Sequence, residues 1–309
     1  MKQSANLLVV CGPNASGKTK LGVQLAYHSN AEIISADSRQ VYKKMDIGTG
    51  KDLNEYTTPQ GTVPFHLIDI VSPDQMYTLY HYQRDFYCVF REIHSRKKLP
   101  LLVGGTGLYI EAVLKHYKIP NVPENRSLRK NLMKKSTSSL LSQLSSLDPG
   151  LLHQTDTTSK KRIVRGIEIA LYGREHPIEW GCRDHPEIKP LVLGIHLERK
   201  KLHTKIETRL AQRFREGMIQ EVEQLKNNGI SPERFSLFGM EYKYIGMYLD
   251  GRLSYDDMYQ QLTTSIYHLA KRQETWFRGM ERRGIPVHWL EDASFDKALN
   301  IIKNYNFLR

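Results

Sequence analysis

LLVVCGPNASGKT, residues Leu7 to Thr19, is the stretch from which the fold can be read. Five apolar residues run without alternation, as in a strand buried on both faces, and lead straight into Gly12-Pro-Asn-Ala-Ser-Gly-Lys-Thr19. That octet fits the phosphate-loop pattern G-x-x-x-x-G-K-[ST] at every fixed position, between a predicted strand and a helix predicted from Lys18 to about His28. The glycines let successive backbone N–H groups turn onto phosphate oxygens, Lys18 adds a mobile positive charge, and Thr19 offers a hydroxyl to Mg2+. A glycine-rich turn that binds nothing does not call for Lys-Thr at this spacing. Gly12, Pro13, Asn14, Ala15, Ser16, Gly17, Lys18 and Thr19 are the candidate phosphate-binding residues.

Outward from the loop, strand and helix patterns alternate. Glu32 to Ala36 reads as a second strand, VPFHLIDIV (Val63 to Val71) as a third, and Leu79 to Arg96 as a helix with apolar positions at Tyr82, Phe86, Val89, Phe90 and Ile93. LPLLVGG then reads as the most buried strand, followed by Thr106 and a short helix to about Tyr117. Pro120 and Pro123 break the pattern. From Ser127 to about Trp180 the chain is basic and serine-rich without β-branched runs, which predicts a small, mostly helical insertion. KPLVLGIHL (Lys189 to Leu197) restores a core strand, and helices are predicted over Arg199 to Asn228 and Tyr255 to Arg282, then a strand at PVHWL and a closing helix. The expected fold is α/β: a P-loop-containing parallel sheet flanked by helices, with a small helical inserted domain. The expected boundaries are 1–117 plus 189–309 for the core and 118–188 for the insertion.

Composition narrows the function classes. A quarter of the 309 residues are charged and no apolar run is long enough to span a bilayer, so a soluble, cytoplasmic protein with no membrane partner is expected. The N-terminal apolar run enters the phosphate loop directly, as a core strand and not a signal peptide would. Cys11, Cys88 and Cys182 are far apart and suggest neither a disulfide framework nor a zinc site. The net charge of +12 favours a polyanionic partner, with Arg126, Arg129, Lys130, Lys134 and Lys135 in one run and Lys160, Lys161, Arg162 and Arg165 in another. Solvated helix faces are the alternative reading of such runs.

Beside the phosphate loop, one expected part is missing. ATP-splitting proteins of this fold hold Mg2+ through an acid at the end of a neighbouring apolar strand, and here LLVGGTG ends in glycines. The acid placed at a strand end is Asp37, in SADSRQVY, where it can take a proton from a nucleophile poised against bound phosphate or simply cap a turn.

GPNASGKT followed by ISADSRQVYKKMDIGTGK, VPFHLIDI, LPLLVGGTGLY, KRIVRGIEI, FGMEYKYI and AKRQETWF closely resembles the tRNA dimethylallyltransferase (tRNA isopentenyltransferase) family, in its bacterial form. The resemblance implies transfer of a dimethylallyl group from dimethylallyl pyrophosphate to N6 of adenosine 37 in tRNA, with release of pyrophosphate. The loop then grips a prenyl pyrophosphate, Mg2+ with Lys18 and Thr19 neutralises the leaving group, and Asp37 accepts the N6 proton. It further implies tRNA contacts from Asp37, Ser38, Arg39 and Gln40, from Thr106, from Arg129, and from Lys161, Arg162 and Arg165, with Arg165 and Arg209 reaching the pyrophosphate. Gln40 as a solvent-facing loop residue, Arg129 as a surface arginine and Arg209 in a salt bridge to Glu216 or another acid are the competing readings. Trp276 is read as packing, without chemistry. A monomer is expected, with the insertion clamping the anticodon stem-loop. Prenylation of free AMP or ATP, or a small-molecule kinase, are the alternatives.

Overall fold

The computed structural model describes residues 3–59, 61–181 and 185–307; Cys182 lies outside them. It divides into two compact units, Met1–His116 with His185–Arg309, and Tyr117–Asp184, against the expected insertion of 118–188.

The first unit is built on six strands: β1 (Leu7–Cys11), β2 (Ala31–Ala36), β3 (Phe65–His66), β4 (Leu99–Gly104), β5 (Pro190–His196) and β6 (His288–Glu291). All pairings are parallel, in the order β3-β2-β4-β1-β5-β6. Continuous apolar runs form these strands because both sheet faces are covered; every residue of β1, β2 and β4 is buried. The one acid inside β2, Glu32, is bonded by Arg96 at 2.7 Å and His66 at 2.8 Å. Burial alone would raise its pKa, but those bonds carry it below the usual carboxylate range.

Helices α1 (Lys18–Ser29), α2 (Leu79–Ser95) and α3 (Gly107–Leu114) follow their strands, as the 3.6-residue spacing predicts. Two sequence expectations change. VPFHLIDIV is not one strand: Leu67 and Asp69 take left-handed φ values of 62° and 56°, so pairing stops after His66 and Asp69 turns to the Lys51 ammonium. The long helical pattern after β5 is two helices, α8 (Arg199–Arg215) and α9 (Met218–Asn227), because Gly217 adopts φ 99° between them. Two further helices, α10 (Pro232–Phe238) and α11 (Met240–Leu249), precede α12 (Tyr255–Arg282). Asp256-Asp257 lies in the first turn of α12, where acids suit the helix dipole and Ser254 caps the Asp257 N–H. The closing helix is α13 (Phe295–Ile302).

The second unit holds α4 (Arg126–Leu132), α5 (Thr137–Leu147), α6 (Pro149–Gln154) and α7 (Lys160–Glu175). Its polar residues punctuate it: Asn125, Ser136 and Asp148 each accept a backbone N–H at a helix start. Leu132, Leu140, Leu144, Ile163, Val164 and Ile167 make its small core.

Candidate functional site

In the first unit, the carboxyl ends of β1, β2 and β4 open on a cavity of about 530 Å³, where ligands of open parallel sheets bind. Asn14, Ala15, Lys18 and Thr19 line it; Gly12, Pro13, Ser16 and Gly17 form the turn behind them. Gly17 holds φ 90° at the N-terminus of α1, a conformation that favours glycine, and no side chain caps this helix. Its free N–H groups are thus available to an anion.

The Lys18 ammonium donates to Pro13 O at 2.7 Å across the loop. Burial, then the nearby Arg209 guanidinium, push its pKa down to about 8. Cys11, ending β1, is a buried thiol raised to about 12 by that burial, which leaves it unreactive.

Asp37 follows the last residue of β2 and lines the same cavity. Its Oδ1 accepts the Arg39 N–H at 2.8 Å and the Gln40 N–H at 3.3 Å, closing a turn. Among the described residues, the bonds to this carboxylate all end on Oδ1. Base and cap are therefore compatible readings of one carboxylate, with one oxygen for each. Thr106 Oγ1 accepts the Ser38 N–H at 3.1 Å, and Thr106 N–H donates to Ala36 O at 3.0 Å, so the Gly104–Gly107 turn is fastened to the Asp37 loop.

Gln40 lines the cavity, and its amide is partly engaged: Nε2 donates to Gly50 O at 2.9 Å and Oε1 accepts from Ser35 Oγ at 3.1 Å. It ties the Asp37 loop to the Gly48–Gly50 segment. That segment is pinned from outside by Glu221 on α9, whose carboxylate accepts the N–H groups of Asp46, Ile47 and Gly48 and the Tyr242 hydroxyl. From inside it is pinned by the buried Lys51 ammonium, held by Asp46, Asp69 and Tyr42 O. Ser38 and Arg39 line the cavity as well, and the Arg39 guanidinium donates to Leu237 O.

Arg209 reaches the cavity from α8, its guanidinium paired with Asp52 and 3.4 Å from Gly50 O. The acid it meets is Asp52, not Glu216, which bonds to Gln212. One turn later Arg213, not singled out in the sequence, lines the cavity with its Nε buried and without a partner among the described residues. Burial and Arg209 pull it down to about 10, still cationic at neutral pH. The i,i+4 spacing of the two arginines was the available signal. Trp276 also lines the cavity, with Gly107 packed against its indole. Gln273, one turn earlier on α12, was likewise missed. Val103, Ile206, Leu210, Phe238, Met240, Ile266 and Leu269 give the cavity an apolar wall, and Thr49, Tyr56, Glu241 and Arg272 line it as well.

The other predicted contacts lie in the second unit. Arg129 and Arg165 converge on Glu168, a buried acid that also accepts the Asn125 N–H at 2.7 Å; Arg165 further donates to Val122 O at 2.8 Å. Burial would raise Glu168, but these bonds hold it below the usual carboxylate range. Within the second unit, Arg165 is thus held by Glu168 and Val122 O, with part of its side chain exposed. Arg162 is exposed and pairs with Asp156, Lys161 is exposed, and Val164 packs in the core.

Thr19 is the candidate metal-facing hydroxyl. Among the described residues no group of three His, Cys, Asp or Glu could hold a metal ion. That donor set fits Mg2+, which keeps waters and takes substrate phosphate oxygens instead of an all-protein cage. No described helix is long and apolar enough to cross a membrane.

A family model described as IPP transferase matches residues 40–280, and one described as Isopentenyl transferase matches residues 5–69. The chain is 48% identical over 290 residues to tRNA dimethylallyltransferase 2 of Trichlorobacter lovleyi, covering 94% of this chain and 93% of that one. It is 46% identical over 308 residues to tRNA dimethylallyltransferase 1 of Azobacteroides pseudotrichonymphae, covering 99% of each. The crystal structure of the tRNA isopentenylpyrophosphate transferase of Bacillus halodurans superposes with a TM-score of 0.68 at 33% identity, over 97% of this chain and 95% of the other.

Proposed function

This chain belongs to the tRNA dimethylallyltransferase family, and from that premise we propose that it moves a dimethylallyl group from dimethylallyl pyrophosphate to N6 of adenosine 37 in tRNA, releasing pyrophosphate. One observation carries the site assignment: the phosphate loop, Asp37 and an apolar wall face a single cavity. A diphosphate, a proton acceptor and a five-carbon chain each have a surface there.

The diphosphate takes the N-terminus of α1, with Lys18, Arg209 and Arg213 around it. The prenyl chain lies along the apolar wall, away from water that would capture an allylic cation. As the C1–O bond breaks, the electron pair leaves with pyrophosphate, and the N6 lone pair forms the new bond to C1. Asp37 Oδ2 takes the N6 proton. An exocyclic adenine amine is a weak nucleophile, so the rate depends on holding it in line with C1. Inside a stacked anticodon loop that amine is out of reach, and the base must be extruded into the cavity. Mg2+, held by Thr19 and diphosphate oxygens, would supply neutralisation of the leaving group's charge. The exposed basic residues of the second unit, Lys161 and Arg162 among them, suit RNA phosphates. The chain is proposed to work as a monomer.

Incubation with dimethylallyl pyrophosphate, Mg2+ and unmodified tRNA, followed by nucleoside mass spectrometry, tests this. The reading expects a five-carbon unit on adenosine; unmodified tRNA, or product formed on free AMP or ATP instead, would overturn it.

Lys18 gives a second expected outcome. A diphosphate beside it restores the charged form and raises its pKa. Free Lys18, near 8, is largely neutral at pH 9, so binding there draws in close to one proton. At pH 6.5 the lysine is already charged and contributes none, and affinity for the donor weakens as pH rises above 8. Titration calorimetry in buffers of different ionisation heat reads the proton number directly; equal uptake at both pH values would count against Lys18 as the diphosphate partner.

A further inference from the structure

Gln273 on α12 joins the two loops that follow the neighbouring strands β1 and β4. Its Oε1 accepts the Asn14 N–H at 2.8 Å, and its Nε2 donates to Asn14 Oδ1 at 3.1 Å and to Gly105 O at 2.9 Å. Both amide protons and the carbonyl are used, so the side chain has a single orientation. Asn14 belongs to the phosphate loop. Gly105 precedes Thr106, which holds Ser38 beside Asp37. One amide thus bridges the loop that grips the leaving group and the turn that fastens the proton acceptor. Gly105 permits this approach: a Cβ there would sit 2.5 Å from Gln273 Nε2.

We propose that Gln273 is a positioning residue that sets the distance between donor and acceptor in the transfer, an inference that rests on the functional reading above. Gln273 touches neither reacting atom. It acts through Asn14 and through Gly105 to Thr106, and what it controls is whether N6 or water meets the allylic carbon. Loss of the clasp leaves the diphosphate loop and Asp37 intact but no longer in register, and a misplacement on the order of 1 Å costs about a hundredfold in rate.

The test compares wild type with Gln273→Glu, Gln273→Ala and Gly105→Ala. The glutamate keeps size and the acceptor for Asn14 N–H but loses both donors, and Gly105→Ala displaces the clasp while Gln273 remains. Three readouts are taken: kcat with tRNA, KM for dimethylallyl pyrophosphate, and the ratio of donor hydrolysed to donor transferred. A positioning role expects kcat to fall about a hundredfold in each variant, KM to stay within about threefold, and hydrolysis to rise relative to transfer. Thermal unfolding identifies any variant that fails to fold, and the remaining ones carry the comparison. Folded variants with wild-type kcat and an unchanged hydrolysis ratio would overturn the clasp alone. Absence of transfer by wild type would instead overturn the functional reading, and the clasp with it.

Discussion

Asp37→Asn is expected to lower kcat for prenyl transfer by about a thousandfold, within the usual contribution of a positioned general base. Asparagine preserves the turn, because its Oδ1 can still accept the Arg39 and Gln40 N–H groups that Asp37 Oδ1 accepts now. What disappears is the second oxygen as a proton acceptor. Affinity for tRNA is expected to stay within about threefold, since phosphate contacts dominate RNA binding and Asp37 supplies none. Single-turnover prenylation beside a filter-binding titration separates the two. A variant that turns over normally would show that the carboxylate only closes the turn, and a variant that no longer binds tRNA would show a recognition role instead.

Lys18→Met should be the next most damaging change, with kcat/KM for the prenyl donor down by about two to three orders of magnitude, the range for loss of one preorganised group facing developing charge. Methionine approximates the stem but removes the ammonium that spans the loop to Pro13 O. Arg209 and Arg213 remain at the cavity, so donor binding weakens less than turnover does. Steady-state kinetics with donor varied at saturating tRNA reads the split. A loss under about tenfold would assign the leaving-group charge chiefly to the two arginines.

The same residues show where sequence reasoning stops. Backbone patterns are local: an unbroken apolar run must be covered on both faces, and G-x-x-x-x-G-K-T dictates its own turn. β1, α1, β2, β4 and α12 were therefore legible from spacing, and the phosphate loop was legible as a site. Partner choice among charges is local only in part: Arg165 meets Glu168 within one turn of α7, whereas Arg129 reaches the same buried acid from 39 residues away. Gln40 looks suited to an adenine edge, and only the structure adds that its amide also ties Ser35 to Gly50. VPFHLIDIV has the composition of a strand throughout, and only the turn that delivers Asp69 to Lys51 ends it at His66.

By itself the sequence determined the parallel α/β scaffold, the phosphate loop at its centre and the acid at the next strand end, because each rests on contiguous residues whose spacing constrains the backbone; the family rested on the likeness of several separate motifs. Only the tertiary structure showed which Asp37 oxygen closes the turn, and it brought Arg213, Gln273 and Trp276 to the cavity from helices more than 190 residues downstream of the loop they face. Those outcomes depend on which side chains burial forces together, and burial is a property of the packed sheet and helices, not of any segment read alone.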